Sequence, residues 1–225
     1  MGENTKKQLD HHSGFKLSLE NAQAHIKSAE ILAKEVNYGI ATSHLVLSAE
    51  EGLKAYIIFT KYYDKDIVIK DFDKYFSSHS FKHESISDIL FNINFIGKML
   101  DVIINPIQEQ VVKKKGKITT KEFLNARKQV VPNLISWLKG MPEIEYNKDW
   151  WKKANNLKMR GFYVDINKGA KQWISPTAIT EGQYQQSHSI VSDFLKHIFI
   201  LESASLNPEV KGMYDELMAK LNKGK

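Results

Sequence analysis

Arginine is scarce in this chain: of its 32 lysine and arginine residues, only Arg127 and Arg160 are arginine. A chain that meets its need for positive charge with lysine has little use for arginine as a surface cation. Where arginine is kept, its planar fork of donors is the reason, because that fork grips carboxylate or phosphate oxygens two at a time. Arg127 stands in a lysine-rich polar stretch and reads as surface. Arg160 stands in Lys158-Met159-Arg160-Gly161-Phe162-Tyr163-Val164-Asp165. An arginine and a tyrosine three apart at a helix end can hold a phosphate; alternatively the arginine can tie Glu51 into a helical core.

Two further sets of polar residues invite a chemical reading. His44, Ser48, Glu51 and Ala55 fall on one stripe of an otherwise apolar segment, with Glu50 and Lys54 beside it. Burying carboxylates and ammonium groups costs several kcal/mol per ion unless each is paired, so the stripe either faces water or lines a site. A surface Glu50–Lys54 pair at i,i+4 accounts for Glu50. It accounts less well for Glu51, which projects almost opposite the Leu45/Leu53/Tyr56 face. The other set runs from Phe76 to Glu84 and holds His79 and His83, four apart. Two histidines at that spacing share a helix face, but no His-Glu-x-x-His or Cys-x-x-Cys pattern accompanies them, so no metal site and no cofactor is read. His11, His12, His188 and His197 read as ordinary. No Gly-rich phosphate loop, Gly-x-Ser-x-Gly elbow or dinucleotide fingerprint occurs.

The elements that must position these residues read as helices throughout. Residues 1–17 are polar and read as a flexible lead-in, followed by a single helical domain over 18–225. From Ser18 as N-cap, residues 19–38 place Ala22, Ile26, Ala29, Ala33 and Val36 at three- and four-residue spacing, an amphipathic helix. Gly39 breaks it or marks a tight helix–helix turn. Residues 40–63 are apolar over most of the circumference, which marks a central helix. A short element at 71–76 precedes a long helix at 84–112 with Pro106 near its end. Thr119 and Glu122 form a capping-box signature for a helix reaching Lys139. Another spans 143–160. Residues 165–176 read as an irregular loop holding Trp173. A long helix from Thr177 or Thr180 reaches Ser203, and Pro208 opens a last one through Met213, Leu217 and Leu221. Alternating strand patterns are absent, so the fold class is all-α, an up-and-down bundle with additional C-terminal helices.

Composition sets the remaining bounds. An apolar share of 42% and a charged share of 26% are those of an ordinary soluble globular protein. With no cysteine, disulfides, zinc ribbons and thiol nucleophiles are excluded. No secretion signal or membrane span is read, since the richest apolar stretch, 86–104, is broken by Asp88, Asn92, Asn94, Lys98 and Asp101. The expected location is the cytoplasm, with no membrane partner. A formal charge of +6 favours an anionic partner such as RNA. The same charge equally fits a lysine-rich surface that keeps the protein soluble.

Taken in order, the three sets resemble the AbiV family of bacterial abortive-infection proteins, a branch of the HEPN superfamily of helical ribonucleases. Glu50-Glu51-Gly52-Leu53-Lys54 resembles the family's Glu-Glu-x-x-Lys. His79-Ser80-Phe81-Lys82 resembles its His-x-x-Lys, and Arg160-Gly161-Phe162-Tyr163-Val164-Asp165 its Arg-x-x-Tyr-x-Asp. The likeness spans roughly residues 18 to 200. It implies an HEPN-like bundle, a homodimer, RNA as substrate, no cofactor, and a phage-encoded protein as activating partner. HEPN ribonucleases pair an arginine with a histidine four to six residues later, and here Tyr163 and Asp165 stand in that interval. If the chemistry is retained, His79 comes from elsewhere in the fold or Asp165 fills the role.

The implied activity is metal-independent endoribonuclease action in anti-phage defence. Arg160, with Lys54 as helper, would hold the phosphate and His79 would transfer the proton. Glu51 would orient the cation, while Tyr163 and Asp165 would shape the pocket. Lys54, Lys82 and Lys158 are the expected RNA contacts. The alternative is a non-catalytic HEPN-fold module that senses a phage protein. A ribonuclease of this kind must stay silent until triggered, and the loop at 166–176, with Trp173 as an apolar handle, is the expected switch. Glu51, His79 and Arg160 are expected to converge, and Leu45, Leu53, Tyr56 and Ile57 to lie in the core.

Overall fold

A computed structural model of the protein describes residues 10–63, 69–77 and 142–206. The helices expected over 84–112 and 119–139 and after Pro208 lie outside the described residues, as do His79, Lys82 and His83. Contacts divide the chain into two compact units, one of Met1–Ser85 with Lys153–Ser192 and one of Ile86–Lys152 with Asp193–Lys225.

In the first unit, helix α1 covers His11–Lys34. It begins well before Ser18 because Asp10 caps it: the Asp10 carboxylate accepts from Ser13 N at 3.1 Å and from the Ser13 hydroxyl at 2.6 Å. Those bonds hold the Asp10 carboxyl below the usual carboxylate range. The apolar stripe also extends upstream, since Phe15 and Leu19 are buried with Ala22 and Ala29. At the other end the Val36 N–H bonds the Ala33 carbonyl and the Asn37 N–H bonds the Leu32 carbonyl. This Schellman closure puts Val36 at φ 59°, a left-handed conformation that a β-branched residue rarely adopts.

Helix α2, Tyr38–Tyr63, follows after a tight helix–helix turn, one of the two readings of this point, and Gly39 lies in its first turn. It runs antiparallel to α1, as three contacts show. The Phe15 ring lies 5.6 Å from Phe59, the Ser48 hydroxyl donates to the Ala22 carbonyl at 2.7 Å, and His25 meets His44. Leu45, Val46, Leu53, Ile57 and Ile58 are buried, as the all-round apolar pattern predicts, while Tyr56 is half-buried. The short element near residue 71 is a single helical turn, α3, Lys74–Ser77.

Helix α4, Pro142–Phe162, matches expectation and carries proline at its first position, where the missing N–H costs nothing. The segment after it is not irregular. Asp165–Asn167 (β1) and Gln172–Ile174 (β2) pair antiparallel, with Ile166 opposite Trp173. Strands of three residues are too short to show the alternation that would announce them. A 3-10 turn at Pro176–Ala178 leads to helix α5, Glu181–Leu206. Thr180 is its cap: the Thr180 N–H donates to the Gln183 side-chain oxygen at 3.0 Å, and the Gln183 N–H to the Thr180 hydroxyl at 3.4 Å.

In the second unit the described core combines aromatic rings with Leu195 and Ile198. Trp151 is fully buried and meets Trp150 at 4.9 Å and Phe194 at 5.2 Å between ring centroids, both edge to face. The fold class is all-α, with one small hairpin among the described residues.

Candidate active site

Within the first unit α2 and α4 approach closely because Gly161 has no Cβ. A Cβ on Gly161 would overlap the Gly39 carbonyl and the Ser43 hydroxyl oxygen, so backbone lies against backbone. The Ser43 hydroxyl donates to the Lys158 carbonyl at 2.8 Å. Two turns further along α2, the Lys158 ammonium donates to the Glu50 carboxylate. Both side chains are buried, Glu50 at 2% and Lys158 at 6% exposure. The side chains of α4 lean toward its N-terminus, which carries the lysine along α2 to its partner.

This overturns the reading of a surface Glu50–Lys54 pair. Glu50 is the buried carboxylate; Glu51 takes Lys54 instead, at 2.5 Å and i,i+3, both half-buried. Lys158, expected as an RNA contact, has its ammonium turned inward onto Glu50.

Beside the ion pair sits a second polar contact that sequence reading missed. His25 of α1 and His44 of α2 approach with Nδ1 to Nδ1 at 3.1 Å, so one ring donates and the other accepts. Burial pushes both imidazoles below the ordinary histidine value. For His25 the neighbouring His44 adds to that, and Glu51 and Glu50 oppose it. The His44 ring also meets the edge of Phe162 at 5.9 Å, so the contact spans α1, α2 and the end of α4. The available signal was position: His25 is three residues after Ala22 and four before Ala29, on the buried stripe.

Arg160 is half-buried at the end of α4. At about 100° per residue it points well away from the Lys158/Gly161 face that meets α2. No hydrogen bond or ion pair joins it to Glu51 among the described residues, and its Nε is buried without a partner. Tyr163 is 58% exposed with its ring 6.2 Å from Phe162. Asp165 is exposed and its carboxylate accepts from the Ile166 N–H at 2.7 Å. The structure therefore joins Glu51 to Lys54 and Glu50 to Lys158, and leaves Arg160, Tyr163 and Asp165 outside both pairs. His79 and Lys82 lie outside the described residues.

Among the described residues no three His, Cys, Asp or Glu side chains gather to hold a metal ion, and no helix is long and apolar enough to cross a membrane. Neither a curated protein nor a solved structure matches the chain at a significant level. The HEPN-type family model described as AbiV matches residues 11–196, the span from the first turn of α1 into α5 that contains the α1–α2 pair, the Glu50–Lys158 contact and Arg160. On that match, covering most of the sequence, the chain belongs to the AbiV family of HEPN proteins.

Proposed function

We propose that the protein is an effector of anti-phage abortive infection that cleaves RNA without a metal, as a homodimer held silent until a phage component engages it. Family membership suggests abortive infection. The observation that carries the chemistry is the buried, unpartnered Nε of Arg160. Leaving a buried donor unsatisfied costs about 1–3 kcal/mol, a cost that makes sense where a ligand supplies the acceptor. A phosphate offers acceptors matched to the guanidinium fork.

RNA cleavage of this kind needs a base to take the 2′-hydroxyl proton, so that the 2′-oxygen attacks phosphorus and a cyclic phosphate forms. It also needs a proton for the leaving 5′-oxygen and a cation on the crowded phosphate. Arg160 supplies the cation. His79 is the proposed proton carrier. Glu51 positions Lys54 rather than Arg160, and Tyr163 and Asp165 border the mouth of the site.

A second reading, a non-catalytic module that senses a phage protein, is favoured by one fact: the two carboxylates of α2, Glu51 and Glu50, are held in ion pairs with Lys54 and Lys158. Purified protein incubated with cellular RNA in EDTA, alone and with phage lysate, decides between the two. Cleavage by wild type and none by Arg160→Ala is the expected result. Absence of cleavage in every condition would leave the sensor.

A further inference from the structure

Helix α4 runs directly into the β1–β2 hairpin, and the hairpin displays a combination of groups that the proposed cleavage does not use. Ile166 and Trp173 are cross-strand partners and so share one face of the ribbon, and alternation puts Val164 beside them. Trp173 is 77% exposed, the most open large apolar side chain among the described residues, and Val164 is exposed as well. The loop that joins the strands is well formed. The Asn167 side-chain oxygen accepts from the Ala170 N–H at 3.0 Å, and Lys171 takes a left-handed conformation at φ 52°. Lys168 and Lys171 are both exposed there, with only Gly169 and Ala170 between them. From Ile166 to Ser175 there is no acidic residue, and the one nearby carboxylate, Asp165, is bonded to backbone.

We propose that this hairpin is a grip for single-stranded RNA, with Trp173 stacking on a base and Lys168 and Lys171 meeting the flanking phosphates. The inference rests on RNA being the substrate and names the element that holds it outside the reacting centre. An aromatic face standing clear of the surface beside two cations matches the alternation of flat base and charged phosphate along a single strand. The small side chains at the loop tip let a backbone lie close. Net positive charge of the whole chain favours the same partner.

The test uses the full-length protein and a short 2′-O-methyl oligoribonucleotide of mixed sequence, which binds but cannot be cleaved through its 2′-oxygen. Fluorescence anisotropy is expected to show Trp173→Ala weakening binding about tenfold and Trp173→Phe retaining most of it, since each stacked base contributes through its aromatic partner. Replacing Lys168 and Lys171 together with glutamine should flatten the dependence of log affinity on log salt by roughly 1.4, two phosphate contacts at about 0.7 each. The side chains are exposed, so melting temperatures should not change. Binding of the probe that is indifferent to all these changes, or no binding at all, overturns the grip. If such variants instead lose a phage protein from a pull-down and keep the probe, the hairpin is a protein-docking element and the proposal is wrong. Cleavage of ordinary RNA by a protein whose hairpin variants are all unaffected sinks the grip and spares the ribonuclease. Probe binding through Trp173 without any cleavage does the reverse.

Discussion

The Lys158 ammonium donates to the Glu50 carboxylate across 108 positions of sequence, with both side chains buried. The pair locks the end of α4 onto the middle of α2. Taking two ions out of water is expensive, and their attraction repays the cost only while both are present. Glu50→Met or Lys158→Met alone should therefore destabilise by about 3–5 kcal/mol, because each removes one half of a buried ion pair. The double variant, apolar on both sides, should recover most of that loss. Urea denaturation of the four proteins gives the coupling directly. Additive single effects would mean the two residues act separately.

The His25–His44 contact predicts a pH dependence of stability with a definite sign. Both imidazoles are held below the ordinary value by burial, so the unfolded chain binds protons more readily than the folded one. The stabilisation is then complete above the unfolded value of about 6.5 and is lost as pH falls through the lower folded values. The melting temperature should drop between about pH 7.5 and pH 5, and His25→Gln and His44→Gln should each shallow that slope. An unchanged slope in both variants would show that other groups set it.

Val36 offers a simpler test. Its left-handed backbone costs a residue with a Cβ about 1–2 kcal/mol, and its side chain is 70% exposed, so little packing is lost on removing it. Val36→Gly should stabilise the protein by roughly 0.5–1 kcal/mol after allowing for the greater freedom of glycine in the unfolded chain. A less stable glycine variant would mean the valine side chain contributes something its exposure hides.

What the sequence revealed follows from how far apart the interacting parts lie. The core of α2 was legible because Leu45, Leu53 and Ile57 report their burial through their own neighbours at helical spacing. The partner of Glu50 was not, because Lys54 offers a local pair at i,i+4 and nothing local points to Lys158. The start of α1 was misplaced because Ser18 is as plausible a cap as Asp10 until Phe15 is known to be buried. The hairpin was missed because each strand has three residues, less than one readable alternation. Arg160 was singled out by the scarcity of arginine, but its direction around α4 depends on which face Gly161 presents to Gly39. That close approach is a tertiary fact.

Arg160 should be a residue kept for function at a cost in stability. Its Nε is buried and unpartnered, so that nitrogen spends desolvation without a compensating hydrogen bond, whereas a well-used structural arginine would have an acceptor there. Replacing it with methionine, which preserves much of the aliphatic stem, should leave the urea midpoint unchanged or raise stability by about 1 kcal/mol. The same variant should abolish RNA cleavage in EDTA and the growth arrest expected on co-expression with the proposed phage trigger. Arg160→Lys should fail to restore cleavage, because an ammonium provides a point charge and lacks the two-pronged fork. Expression of wild type without the trigger should be tolerated. A methionine variant that unfolds several kcal/mol more easily would make Arg160 structural, and equal toxicity of wild type and variant would remove it from the chemistry.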